Sequence, residues 1–190
     1  FGSSGGAVNA LALVARHPED VRTLVAHEPP ASQLIPDREA ALAACTDIRD
    51  TYLRAGLGPA MAKFIALVQL TGPVPADFAT SVNPDPAQFG LPTEDDGRRE
   101  DPLLRQNLVP CNHYEHDIAA LQAATTRVVI GVGAESTDTL AHRGGEAVAQ
   151  RLNTQPVVFP SHHAGFAGGE FGIQGDPDGF AQTLRTTLEP

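Results

Sequence analysis

The 190-residue sequence has no tryptophan, one methionine, two tyrosines and two cysteines, and a single lysine (Lys63) among its thirteen basic residues. Each scarcity excludes something. Cys45 and Cys111 stand far apart without the paired spacing of a zinc site, so neither a cysteine metal centre nor a disulfide scaffold is indicated. Two free thiols suit a reducing compartment, and a cytoplasmic location is the expectation. Acidic residues number 23, for a net charge of −10 and a pI near 5.0. The basic stripe with which proteins hold nucleic acid is missing, and an anionic membrane surface is disfavoured. No apolar run approaches the roughly 18 residues of a spanning helix, and no secretory leader is visible. Residue 1 is Phe rather than Met, so a processed product or part of a longer chain is expected. Arg in place of Lys, with abundant Ala, Gly and Pro, looks like the coding bias of a GC-rich bacterium.

What is present suits one domain with a sizeable core, since 42% of residues are hydrophobic. "GSSGG" leads into Ala7, Val8, Ala10, Leu11, Ala12, Leu13, Val14 and Ala15, a pattern apolar on most faces that predicts a buried helix. His17-Pro18 ends it. Val21, Leu24 and Val25 predict a short buried strand, stopped by Pro29-Pro30. Two helices are expected over 37–71, with Asp37 capping the first and Gly56 ending it. A proline-rich loop follows over 72–97, then a helix near 99–109 and a short helical or turn segment in "NHYEHDIAALQAA". "TTRVVIGVGAES" predicts a strand, followed by a helix over 139–152 that Gly144-Gly145 weaken. "QPVVFP" predicts another strand and "SHHAGFAGG" a loop at its end. The closing helix, "DPDGFAQTLRTTL", has Asp176 at its N-cap and Pro177 in its first turn. Strand–helix alternation at both ends predicts an α/β fold with parallel strands. Its core is expected at 1–30 and 123–190, with a helical insertion at 31–122.

Gly2-Ser3-Ser4-Gly5-Gly6 fits G-x-S-x-G, centred on Ser4. A strand that turns at once into a helix strains its central residue, projects that side chain above the sheet, and needs small neighbours two residues either way. The backbone N–H of Gly5, at the helix start, can help hold an oxyanion. A phosphate cradle fits less well, because the lysine of a P-loop is absent. A serine nucleophile needs a histidine base and an orienting acid. His162 and His163 follow the last strand, at the end of a strand where catalytic groups collect in an open α/β sheet. "HYEH" (His113, Glu115, His116) offers no third metal ligand. "TEDDGRRE" reads as a solvated loop.

"GSSGGA", "ARHPEDVRTLVAHEPP", "VVIGVGAES" and "FPSHHAGF" together resemble the α/β-hydrolase superfamily. They look most like its bacterial single-domain members labelled esterase, lipase or peroxidase-like. The resemblance implies that 31–122 is an inserted lid, that Ser4 is the nucleophile and that His163, followed by Ala164-Gly165, is the base. His162 would be a packing or lid contact. It also implies a small-molecule ester or related carbonyl substrate, no metal and no organic cofactor. Phe64, Leu67, Leu70 and Phe78 are candidates for lining the pocket.

The acid departs from the family pattern. The slot after "VVIGVG" holds Ser136, with Glu135 one position off and Asp138 two beyond. A second place for the acid is the end of the strand after the nucleophile helix, used by some haloalkane dehalogenases, and Glu28 falls there. Glu28 is favoured over Glu135, with Asp138 third. The family's strands before the serine turn are missing, together with the loop that carries a second oxyanion donor. The chain is therefore expected to be the carboxyl-terminal part of a hydrolase, partnered by a missing amino-terminal segment of the same protein. The alternative is a non-catalytic binding protein, or inactive fragment, on the same fold.

Overall fold

The computed structural model describes residues 1–189. Its sheet has four strands, all parallel, in spatial order β1 (Gly2–Ser3), β2 (Thr23–His27), β3 (Arg127–Gly133) and β4 (Val157–Phe159). Helix α1 (Gly5–Arg16) links β1 to β2, and α7 (Leu140–Arg151) links β3 to β4. Helix α8 (Pro177–Leu188) closes the chain, with the Asp176 carboxylate accepting from the Gly179 N–H at 3.0 Å. The long connection between β2 and β3 holds α2 (Arg38–Ala55), α3 (Leu57–Gln69), α4 (Phe78–Ser81), α5 (Leu108–His113) and α6 (Ile118–Ala123).

Strands covered on both faces read as unbroken apolar runs, and β2 obeys this with Leu24, Val25, Ala26 and His27 all buried. Side chains alternate across the sheet. Leu24 and Ala26 join Ala7, Leu11 and Val14 of α1, Ile130 of β3, and Val148 and Ala149 of α7 in one core. Val25 points the other way, to Phe159 of β4 and Phe180 of α8. A third core lies mainly in the helical block, around Ile48 and Tyr52 of α2, and takes in Leu140 at the start of α7. Gly56 ends α2 at φ +85, a left-handed turn that glycine makes without steric cost, so α3 starts at once.

Two local expectations are corrected. Asp37 sits at the N-cap of α2 but makes no cap bond. Its carboxylate accepts instead from Arg143 of α7 (2.5 and 3.0 Å) and from the Val74 N–H (2.7 Å), tying the helical block to the sheet layer. The helix expected near 99–109 is a π-type turn over Leu103–Asn107 that runs into α5. Leu108 N–H reaches Leu103 O, the i−5 bond of a π turn, and Pro110 has no N–H to donate back to Gln106. The helix expected over 139–152 is present as α7, with Gly144-Gly145 inside it. A Cβ at Gly144 would lie 2.5 Å from Pro29 O and 2.6 Å from Ala31 N, so the glycine lets α7 press onto the turn that follows β2.

Candidate active site

Parallel pairing brings the carboxyl ends of the strands to one edge. Ser3 is level with His27, His27 with Gly131, and Gly133 with Phe159. The next residues, Ser4, Glu28 and the loops after β3 and β4, therefore face one another above the sheet. Strain collects there. Of the five non-glycine residues with positive φ among those described, Ser4 (φ 55), Glu28 (φ 44) and Ser161 (φ 66) follow β1, β2 and β4. Such conformations cost on the order of 1–3 kcal/mol each and persist where surrounding structure holds them. Ser4 is held by its N–H on His27 O (2.9 Å) and its carbonyl on Ala7 N–H (2.9 Å). A Cβ at Gly2 would strike Gly6 O at 2.7 Å, whereas Gly6 has open space. Of the two flanking glycines, Gly2 is thus the one the close approach requires. The Gly5 N–H begins α1 with no intrahelical acceptor, at the positive end of the helix.

Glu28 is fully buried and ionised. Its Oε2 accepts from His163 Nδ1 at 2.6 Å. Its Oε1 accepts from Ser136 Oγ and from the Gly133 N–H (2.8 Å), and His142 Nδ1 of α7 lies 3.4 Å away. Burial works to raise the Glu28 pKa. The hydrogen bonds from His163, Ser136 and Gly133 and the nearby His163 charge outweigh it and hold the carboxyl down at about 2. Carboxylate on Nδ1 leaves His163 Nε2 as the free edge of a half-exposed ring. Among the described residues, Ser4 Oγ and His163 are not hydrogen-bonded to each other. A bond of that kind commonly tightens only with substrate in place.

His27 joins the parts. It is fully buried, its Nδ1 is 3.2 Å from Ser3 Oγ, and its ring stacks on His163 with centroids 6.1 Å apart. Phe159 and Phe180 meet its edges at 5.3 and 5.1 Å. Burial pushes its pKa down to about 4, assisted by the nearby His163 and His142 and opposed by Glu28. It is a neutral ring at neutral pH.

The other candidates lie elsewhere. Glu135 is exposed, and its carboxylate accepts from Ser161 Oγ at 3.4 Å rather than meeting His163. Asp138 offers its backbone carbonyl to the Gly72 N–H (3.0 Å). His162 closes its own loop, with Nε2 3.1 Å from Gln174 O and Nδ1 accepting from the Ala164 N–H, in place of the expected packing or lid contact. Leu67 and Phe78 are buried in the core around α2, and Phe64 and Leu70 pack against that core. Apolar spacing on a helix marks its core face as readily as a pocket wall, and all four belong to or border this core. His113 is spent on Thr46 and Leu42 O. His27, Glu28 and His163 each offer an atom within 4.8 Å of the others, the minimum of three ligands for zinc. A metal there would compete with the carboxylate for the pair's hydrogen bond.

Sequence alone does not mark His142 or His27 as site residues, and Ser136 stands out only as the occupant of the family's acid slot. Nothing local marked His142.

The fold and site define an α/β protein with a parallel sheet, a serine at a strained strand–helix turn and a buried carboxylate–histidine pair beside it. Among curated proteins, the chain is similar to "Uncharacterized hydrolase YraK" of Bacillus subtilis (strain 168), 26% identical over 172 residues. The match covers 87% of this chain and 56% of YraK, so the chain spans little more than half the length of that relative. No protein-family model matches the chain, and no solved structure matches it. No helix among the described residues is long and apolar enough to cross a membrane.

Proposed function

We propose that the chain is a serine hydrolase of α/β-hydrolase type that cleaves an ester or related carbonyl substrate through an acyl-enzyme. The hydrolase name of YraK supports the general class. The observation that carries the reading is the 2.6 Å bond between Glu28 and His163 Nδ1, at the same edge of the sheet as the strained Ser4.

In this reading Ser4 Oγ attacks the carbonyl carbon while His163 Nε2 takes its proton. Glu28 orients the ring and stabilises the imidazolium. The Gly5 N–H donates to the oxyanion, joined by a donor from a segment outside this sequence. The C–O bond to the leaving group breaks as His163 returns the proton to it. Water then attacks the acyl-serine by the same relay and releases the acid. Residues 31–122 act as the lid over a core formed by 1–30 and 123–190, and the substrate is a small molecule.

A fluorophosphonate probe tests this on the full chain. Labelling at Ser4 that vanishes in Ser4→Ala is the expected result. A folded protein that takes no label overturns the reading in favour of a non-catalytic binding protein.

A further inference from the structure

The structure assigns Ser136 as a positioning residue that lowers the proton affinity of the Glu28–His163 pair. The assignment rests on the hydrolase reading for its consequence, and on geometry for its existence. The shell around Glu28 is lopsided. Oε1 faces Ser136 Oγ, the Gly133 N–H and His142 Nδ1, whereas among the described residues Oε2 has His163 alone. Donors on one oxygen turn the other toward the base. They also draw negative charge from the carboxylate, which makes it a weaker acceptor for the His163 proton.

Ser136 is built for this place. It is buried, and a Cβ on Gly133 would come within 2.6 Å of its Oγ, so the hydroxyl fits because residue 133 is glycine. Its carbonyl accepts from both the N–H (3.0 Å) and the Oγ1 (2.8 Å) of Thr139, which fixes the turn to the start of α7. The same turn is stitched to the His163 loop by Ala134 N–H on Phe159 O and Glu135 N–H on Ser161 O, each 2.9 Å. Gly133 O lies 3.2 Å from Ser136 Oγ, but the one hydroxyl proton goes to the charged acceptor. Loss of this donor leaves a buried carboxylate short of a partner, with burial now pushing it toward a proton. The pair then holds protons more tightly, and the base is free only at higher pH.

The test uses Ser136→Ala and Ser136→Cys, the second keeping the side-chain size with a weaker donor. The acid limb of the pH profile of probe labelling is expected to move up by about 0.5–1 pH unit in Ser136→Ala, and less in Ser136→Cys. In a Glu28→Gln background the same substitution is expected to leave the limb in place. Independently of any turnover, the proton NMR resonance of His163 Nδ1–H is expected to move downfield in both variants, as its hydrogen bond strengthens. Folded variants with an unmoved resonance and an unmoved acid limb overturn the assignment. Parent protein that takes no label while the resonance moves overturns the hydrolase reading and supports the assignment.

Discussion

His27 and His116 are imidazoles folded away from water, and both have their pKa pushed down to about 4, chiefly by burial. Neither His27 Nε2 nor the two ring nitrogens of His116 have a protein partner among the described residues. An unfolded histidine takes its proton near pH 6.5. Between pH 6.5 and 4 the unfolded chain therefore binds more protons than the folded one, and stability falls as pH falls. The stabilising share of each ring is fully present above pH 6.5 and gone below 4, on the order of 3 kcal/mol apiece. Glu28, held down at about 2, adds a further loss below its unfolded value of 4.5. The unfolding free energy from urea titrations should therefore drop between pH 7 and pH 5, before most carboxylates titrate. His116→Leu should shrink that drop by about 2 kcal/mol. An unchanged drop would show that the ring is not buried as described.

At the scale of elements, the glycines sort by what a methyl group would meet. Gly6→Ala places its Cβ in open space and also favours helix α1, so it should change stability by no more than about 1 kcal/mol, in the stabilising direction. Gly144→Ala drives a Cβ into the Pro29–Ala31 backbone and should cost about 1–3 kcal/mol, read by chemical denaturation. Because that backbone follows directly on Glu28, the same substitution should also slow probe labelling. The local pieces were legible in sequence. The apolar runs marked β2, β3 and β4, and the glycine–serine cluster marked the turn before α1. That Glu28 and His163 follow strands was readable too. Their pairing is expected only through the family resemblance, because it depends on the register of β2 against β3 and of β3 against β4, which no local pattern carries. The contact of His142 with Glu28 needs α7 to lie on the Pro29–Ala31 turn, a long-range fact no local pattern encodes. Asp37 misled for a related reason: a capping residue type looks the same whether it caps its helix or reaches for Arg143.

On the scale of the whole molecule, four parallel strands end at one edge, and the helical block is pinned over the sheet layer by the Asp37–Arg143 pair. Chemistry at that edge stands or falls on which carboxylate serves His163. Labelling rates with a fluorophosphonate probe, compared in the parent chain, Glu28→Gln and Glu135→Gln, decide it. Glu28→Gln should slow modification of Ser4 by about 10³- to 10⁴-fold, with the far-UV spectrum unchanged, and Glu135→Gln should leave the rate within about twofold of the parent, as an exposed carboxylate on Ser161 implies. A rate that survives in Glu28→Gln and collapses in Glu135→Gln would contradict the account.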